Sequence, residues 1–123
     1  MSTARLQQRA LVLEIAPKSK ERPRFNGRVA HLSHAYREWL SNCSALMSEW
    51  WIDPPLDEVL CLHCHFYGAA QGDNDNLIGS VMDAGNKIIW RDDSVAVIKK
   101  IIALHTKTKK VDAHIRLEVI WKT

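Results

Sequence analysis

Apolar and polar positions along the 123 residues switch between two periods, and each switch marks an element. Ala10 to Ala16 is an apolar run interrupted only by Glu14, which predicts a buried strand ended by Pro17. Lys18 to Gly27 carries Pro23 and five charges and predicts a loop, with Arg28 to Leu32 a short extended lead-in. From Ser33 to Trp51 the apolar residues Tyr36, Trp39, Leu40, Cys43, Leu46, Met47 and Trp50 recur every three or four positions. That spacing predicts an amphipathic helix with Ser33 as N-cap, stopped by Asp53-Pro54-Pro55.

Glu58 to Tyr67 alternates and predicts a second strand. Asp75 to Lys87 returns to helical spacing, with Leu77, Ile78, Val81, Met82 and Gly85 on the buried stripe and Asp75 as the cap. After an Asn86-Lys87 turn, Val95–His105 and Ala113–Lys122 read as two long strands joined by Thr106–Asp112. In the last strand Ile115, Leu117, Val119 and Trp121 share one face. The order strand–helix–strand–helix–hairpin predicts an α+β fold, two helices on a mixed sheet, in one domain over residues 1–123.

Composition narrows the class. No apolar run approaches the ~20 residues of a membrane span, and Met1 to Arg9 has no apolar core for a signal peptide. Three cysteines, an odd number, fit a reducing cytoplasm better than a disulfide framework. Cys61-Leu62-His63-Cys64-His65 matches the haem-attachment pattern in form. In a strand, however, Cys61 and Cys64 point to opposite faces, so neither haem nor zinc is expected. His63 and His65 share a face and remain candidates for a place near DNA or the site.

Charge is uneven. Residues 1–37 hold eight Lys/Arg against Glu14 and Glu21, whereas the remainder is net acidic and the whole chain is +3. Asp73-Asn74-Asp75-Asn76-Leu77 and Asp92-Asp93 concentrate the carboxylates. Crowded carboxylates repel, and a hard divalent cation resolves the conflict. Asp73, Asp75 and Asp93 on one metal would suit phosphodiester hydrolysis, with Asp92 and Asn76 accessory. Two polar turns and a helix cap are the structural alternative. The basic segment, with Lys18, Lys20, Arg22, Arg24 and Arg28, would grip phosphates or stand as a solvated loop.

Asp73-x-Asp75-Asn76-Leu77, then Asp83-Ala84, then Ile88-Ile89-Trp90-Arg91-Asp92-Asp93-Ser94, Val97 and Lys99 resemble the RusA family of phage and prophage Holliday junction resolvases. Pro17-Lys18, Arg22-Pro23-Arg24-Phe25 and Tyr36 extend the resemblance over most of the chain. It implies a homodimer in a bacterial cytoplasm that makes paired, Mg²⁺-dependent (or Mn²⁺-dependent) nicks across a four-way junction, leaving 5′-phosphate and 3′-hydroxyl ends. The family pattern D-x-D-N-L-x-K places a lysine where this chain has Gly79. Lys99, six residues after Asp93 and on the same strand face by parity, is the expected substitute, with Lys100 on the other face. A nuclease of other branched DNA such as flaps, and a catalytically silent binder of branched DNA, are the alternatives. Asp83, eight residues past Asp75, is expected to be structural.

Overall fold

The computed structural model describes residues 4–21, 24–26, 29–69 and 74–123, and the side chains of all of these except 24–26, 29–31 and 74. In chain order the elements are β1 (Leu6–Leu13), β2 (Arg24–Asn26), β3 (Val29–His31), α1 (His34–Trp50), β4 (Cys61–Gly68), α2 (Asn74–Gly85), β5 (Ile101–Lys107), a 3₁₀ turn (Lys110–Asp112) and β6 (His114–Lys122). Four strands form one sheet in the order β1-β6-β4-β5, and β2 pairs with β3 in a separate ribbon. β6 runs antiparallel to β1 and β4, whereas β4 and β5 are parallel because α2 carries the chain back between them.

Alternation in β4 decides where the core sits. Leu62, Cys64 and Phe66 are fully buried and stand opposite Val119, Leu117 and Ile115 of β6, which are also fully buried. Both helices complete this core. α1 contributes Tyr36, Trp39, Cys43 and Met47, and α2 contributes Leu77, Ile78, Val81 and Ala84. The other face of β4 presents His63, His65 and Tyr67, and the His65, Tyr67 and His114 rings stack at centroid separations of 4.1 and 4.3 Å. No helix among the described residues is long and apolar enough to cross a membrane.

Local chemistry sets the helix ends. Ser33 caps α1, its Oγ accepting from the Tyr36 N–H at 3.2 Å, while Glu21 accepts from the Ser33 N–H and Oγ at 2.6 Å. α2 ends where Trp90 turns back beneath it. A Cβ on Gly85 would stand 2.5 Å from Trp90 Cζ2, so only glycine allows the fully buried indole to lie there. Trp90 Nε1 also donates to Met82 O at 3.0 Å. Lys87 takes a left-handed φ of 66°, and the Ile88 and Ile89 N–H groups close on Gly85 O.

The α+β class and the mixed sheet with two helices match the sequence reading; several boundaries do not. β1 starts four residues and ends three residues earlier than expected: as an edge strand it pairs with β6 from Leu6 onward, with Leu6, Gln8, Ala10 and Val12 facing solvent, and a tight Ile15 N–H to Leu13 O turn lifts the chain out of the sheet. A short ribbon, β2–β3, interrupts the expected loop. β5 starts at Ile101 rather than Val95, since Val97 and Ile98 donate to Ser94 O and coil the preceding segment into a turn. β5 and β6 are also not a hairpin. β6 crosses to the far side of β4, where its buried face of Ile115, Leu117 and Val119 meets the core instead of an edge.

Candidate active site

α2 is the ruler against which the acidic residues are measured. Asp75 lies in its first turn, at the end where backbone N–H groups point outward and favour negative charge. The helix begins at Asn74, so Asp75 is a first-turn residue and not the cap. Asp73 lies outside the described residues. Asp92 and Asp93 follow the opposite end of the helix. Arg91 N–H donates to Leu56 O, and Val59 bonds with Val97 and Lys99, which fixes this segment beside the start of β4. Asp75 and Gly85 are ten positions apart in the helix, about 15 Å at 1.5 Å per residue, and the segment that carries Asp93 is pinned at the Gly85 end. Metal–oxygen bonds of about 2.1 Å cannot span such a gap. The structure therefore does not bring Asp75 and Asp93 together within one chain. Among the described residues no three His, Cys, Asp or Glu side chains converge on a metal-sized site.

The two carboxylates of the 92–93 pair are differently engaged. Ser94 N–H donates to Asp92 Oδ1 at 2.6 Å, and this bond holds the Asp92 carboxyl below its usual range. Asp93 and Asp75 are exposed, with no hydrogen bond or ion pair among the described residues. Asn76 is half-buried, and its carbonyl accepts the Lys20 N–H at 2.9 Å.

The parity argument for Lys99 fails, because the strand in question begins two residues after it. Lys99 and Lys100 are both exposed in the connection to β5 and belong to the Asp93 end. Arg22 and Arg28 lie outside the described residues, as does the side chain of Arg24. Lys18 and Lys20, by contrast, line a cavity of about 600 Å³ at the Asp75 end, together with Ser19, Glu21, Leu77 and Lys110. The cavity floor is where β4 finishes, Gly68 lying 3.4 Å (as a built Cβ) from Pro17.

Two contributors escaped the sequence reading. Lys110 falls in the expected connection between the last two strands, yet the 3₁₀ turn delivers it to this cavity. Asp83 is structural, as expected, but the two residues it ties are not evident from the sequence. Its Oδ1 accepts from Lys20 Nζ and its Oδ2 from Tyr36 Oη, both at 3.2 Å. Burial, reinforced by that carboxylate, raises the Tyr36 phenol pKa and keeps it a donor. The available signal was spacing: Asp75, Gly79 and Asp83 succeed one another every four residues along one face of α2. Cys61 and Cys64 do lie on opposite faces, and His63 and His65 share the face away from both helices.

Comparison with protein families matches residues 14–120 of the 123 to the family described as Endodeoxyribonuclease RusA. No curated protein matches the chain significantly.

Proposed function

The chain belongs to the RusA endodeoxyribonuclease family, and from that premise we propose a Mg²⁺-dependent endonuclease that resolves four-way DNA junctions as a homodimer. The observation that carries this reading is the separation of Asp75 and Asp93 along α2. In a two-fold dimer each copy offers both ends of its helix, so two composite sites form together, one for each strand to be cut. Asp73 and Asp75 of one protomer with Asp93 of the partner subunit would hold the cation, Mg²⁺ or Mn²⁺. When bound, it supplies activation of the attacking water and neutralises charge building on the phosphate. Asp75 and Asp93 are exposed and have no other partner among the described residues, which suits a hard ion, because no bond among those residues has to break first. Asp92 stays with its turn and supports Asp93 through the backbone.

The basic elements then have a task. Lys18 and Lys20, with Arg22, Arg24 and Arg28, draw the phosphates toward the acidic ends. Two sites acting on one junction account for paired nicks, and water attacking the phosphate with the 3′-oxygen leaving gives the 5′-phosphate and 3′-hydroxyl ends that the family resemblance implies, in the cytoplasm of a bacterial host.

The test is complementation between two dead variants. Asp75→Asn and Asp93→Asn are each expected to bind a synthetic four-way junction and leave it uncut in Mg²⁺. Mixed together, their heterodimers hold one site with both carboxylates intact, so nicking of one strand should return. A mixture that stays as inert as its parents, although heterodimers form, would place both carboxylates in one chain and sink the composite site. Running flap and fork substrates alongside the junction separates a resolvase from a nuclease of other branched DNA.

A further inference from the structure

The side-chain space of Gly79 is already occupied. Lys20 donates its backbone N–H to Asn76 O at 2.9 Å in the first turn of α2, and its stem then runs along the helix across Gly79. A Cβ built on Gly79 would meet Lys20 Cδ at 3.0 Å, Cβ at 3.5 Å and Cγ at 3.9 Å. The ammonium ends on Asp83 Oδ1 at 3.2 Å, one turn further along the Asp75–Gly79–Asp83 stripe. A residue from the N-terminal loop thus lays a positive charge on the α2 face that starts with Asp75.

We propose that Lys20 is the phosphate-binding lysine of the active site, delivered from the loop onto the position that the family motif fills from the helix itself. The proposal rests on the endonuclease reading above. In the free protein the ammonium is parked on Asp83. That pair is partly exposed, with side-chain accessibilities of 39 and 26%, and such pairs hold weakly. Asp83 is not left bare when Lys20 departs, because Tyr36 Oη still donates to its other oxygen. The flexible stem can rotate without moving the backbone, which stays tied to Asn76. Lys20 also walls the cavity that Lys18 and Lys110 share, so a phosphate drawn there meets a concentrated positive field. The ammonium then offsets negative charge on the phosphate as the bond to water forms and the bond to the leaving 3′-oxygen breaks; no proton transfer is assigned to it.

A plain structural strap, pinning the loop to α2 through the ion pair, is the rival role, and paired variants distinguish the two. Lys20→Met and Asp83→Asn break the same ion pair. The measurements are single-turnover cleavage of a synthetic four-way junction in Mg²⁺, and junction binding against salt in Ca²⁺. Wild type must cleave and Asp75→Asn must not; if wild type is inert, the endonuclease reading and this proposal fall together. With that control met, Lys20→Met is expected to lose about 10²–10³ in rate, as loss of one charge-stabilising donor does. It should also lose up to about 0.9 from its salt slope. Asp83→Asn should keep both within a few-fold, and Lys20→Arg should retain part of the rate. The double variant Lys20→Met with Gly79→Lys restores a lysine from the helix and should recover cleavage, whatever the fate of the loop. Equal losses in Lys20→Met and Asp83→Asn, an unimpaired Lys20→Met, or a double variant no better than Lys20→Met would each overturn the assignment.

Discussion

The two ends of α2 are built on opposite principles. At its C-terminal end Gly85 and the fully buried Trp90 are in such close contact that no side chain fits between them. The indole N–H is tied to Met82 O, and the chain is pinned to Leu56 just before Asp93 and to Val59 after it. At the N-terminal end the neighbours are lysines, a cavity of about 600 Å³ and an exposed carboxylate. One end fixes a position; the other leaves room for a ligand and for charge to be rearranged. The proposed composite site would join one end of each type, a rigid acidic anchor with an adaptable cradle for phosphate.

The two glycines of the same helix offer the sharpest way to break that contrast. Gly85→Ala should destabilise the fold by about 1–3 kcal/mol, the usual cost of overpacking a core, because its methyl has only the indole to displace. Gly79→Ala meets the flexible stem of Lys20, and replacing a helix-interior glycine returns up to about 1 kcal/mol. Its net change should be near zero. Denaturant melts of the two variants give the comparison directly, and equal destabilisation would remove the distinction between a packed end and a yielding one.

Charge provides a second, smaller contrast. Replacing both Arg22 and Arg24 by Ala should flatten the salt dependence of junction binding by up to about 0.9 log unit per lost phosphate contact. Arg91→Ala, at the far end and 3.4 Å from Asp57, should leave the slope unchanged. If the two slopes fall alike, phosphate is gripped at both ends.

The smallest effect concerns how firmly the packed layer is held. Cys64 lies fully buried beneath the helices, where burial raises its thiol pKa, and burial pushes Cys43 up to about 12. Neither provides a thiolate at pH 8. Cys61, half-exposed on the open face, should therefore be alkylated first in the native protein, with Cys43 and Cys64 protected until unfolding. Peptide mapping after a timed pulse of reagent reads the order.

What was legible in the sequence had local causes. Ser33 and the spacing from Tyr36 to Met47 suffice for α1, and strict alternation suffices for β4 and β6, because each pattern depends only on neighbours in the chain. What was illegible depended on partners. An apolar run from Val95 reads as strand, yet Ser94 O gathers Val97 and Ile98 into a turn, and Val97 and Lys99 bond with Val59 on either side of it. That shift cancels the parity that selected Lys99. In the sequence Lys20 is one cation in a basic loop; its place over Gly79 requires the loop and α2 to pack, which no spacing within the loop encodes.

The distance along α2 also has a genetic consequence. Suppose a defective copy is produced beside the normal one. If each site draws on two chains, a copy lacking only Asp75 or only Asp93 spares one site in every mixed dimer, enough to nick a junction but not to resolve it. A copy lacking both silences the two sites together, because the normal chain finds no complementary carboxylate in its partner. The doubly defective allele is then the stronger dominant negative for nicking, and its strength rises with dosage as fewer dimers pair two normal chains. Were all the carboxylates supplied by one chain, every mixed dimer would keep its normal site, and the double defect would be no more dominant than either single one.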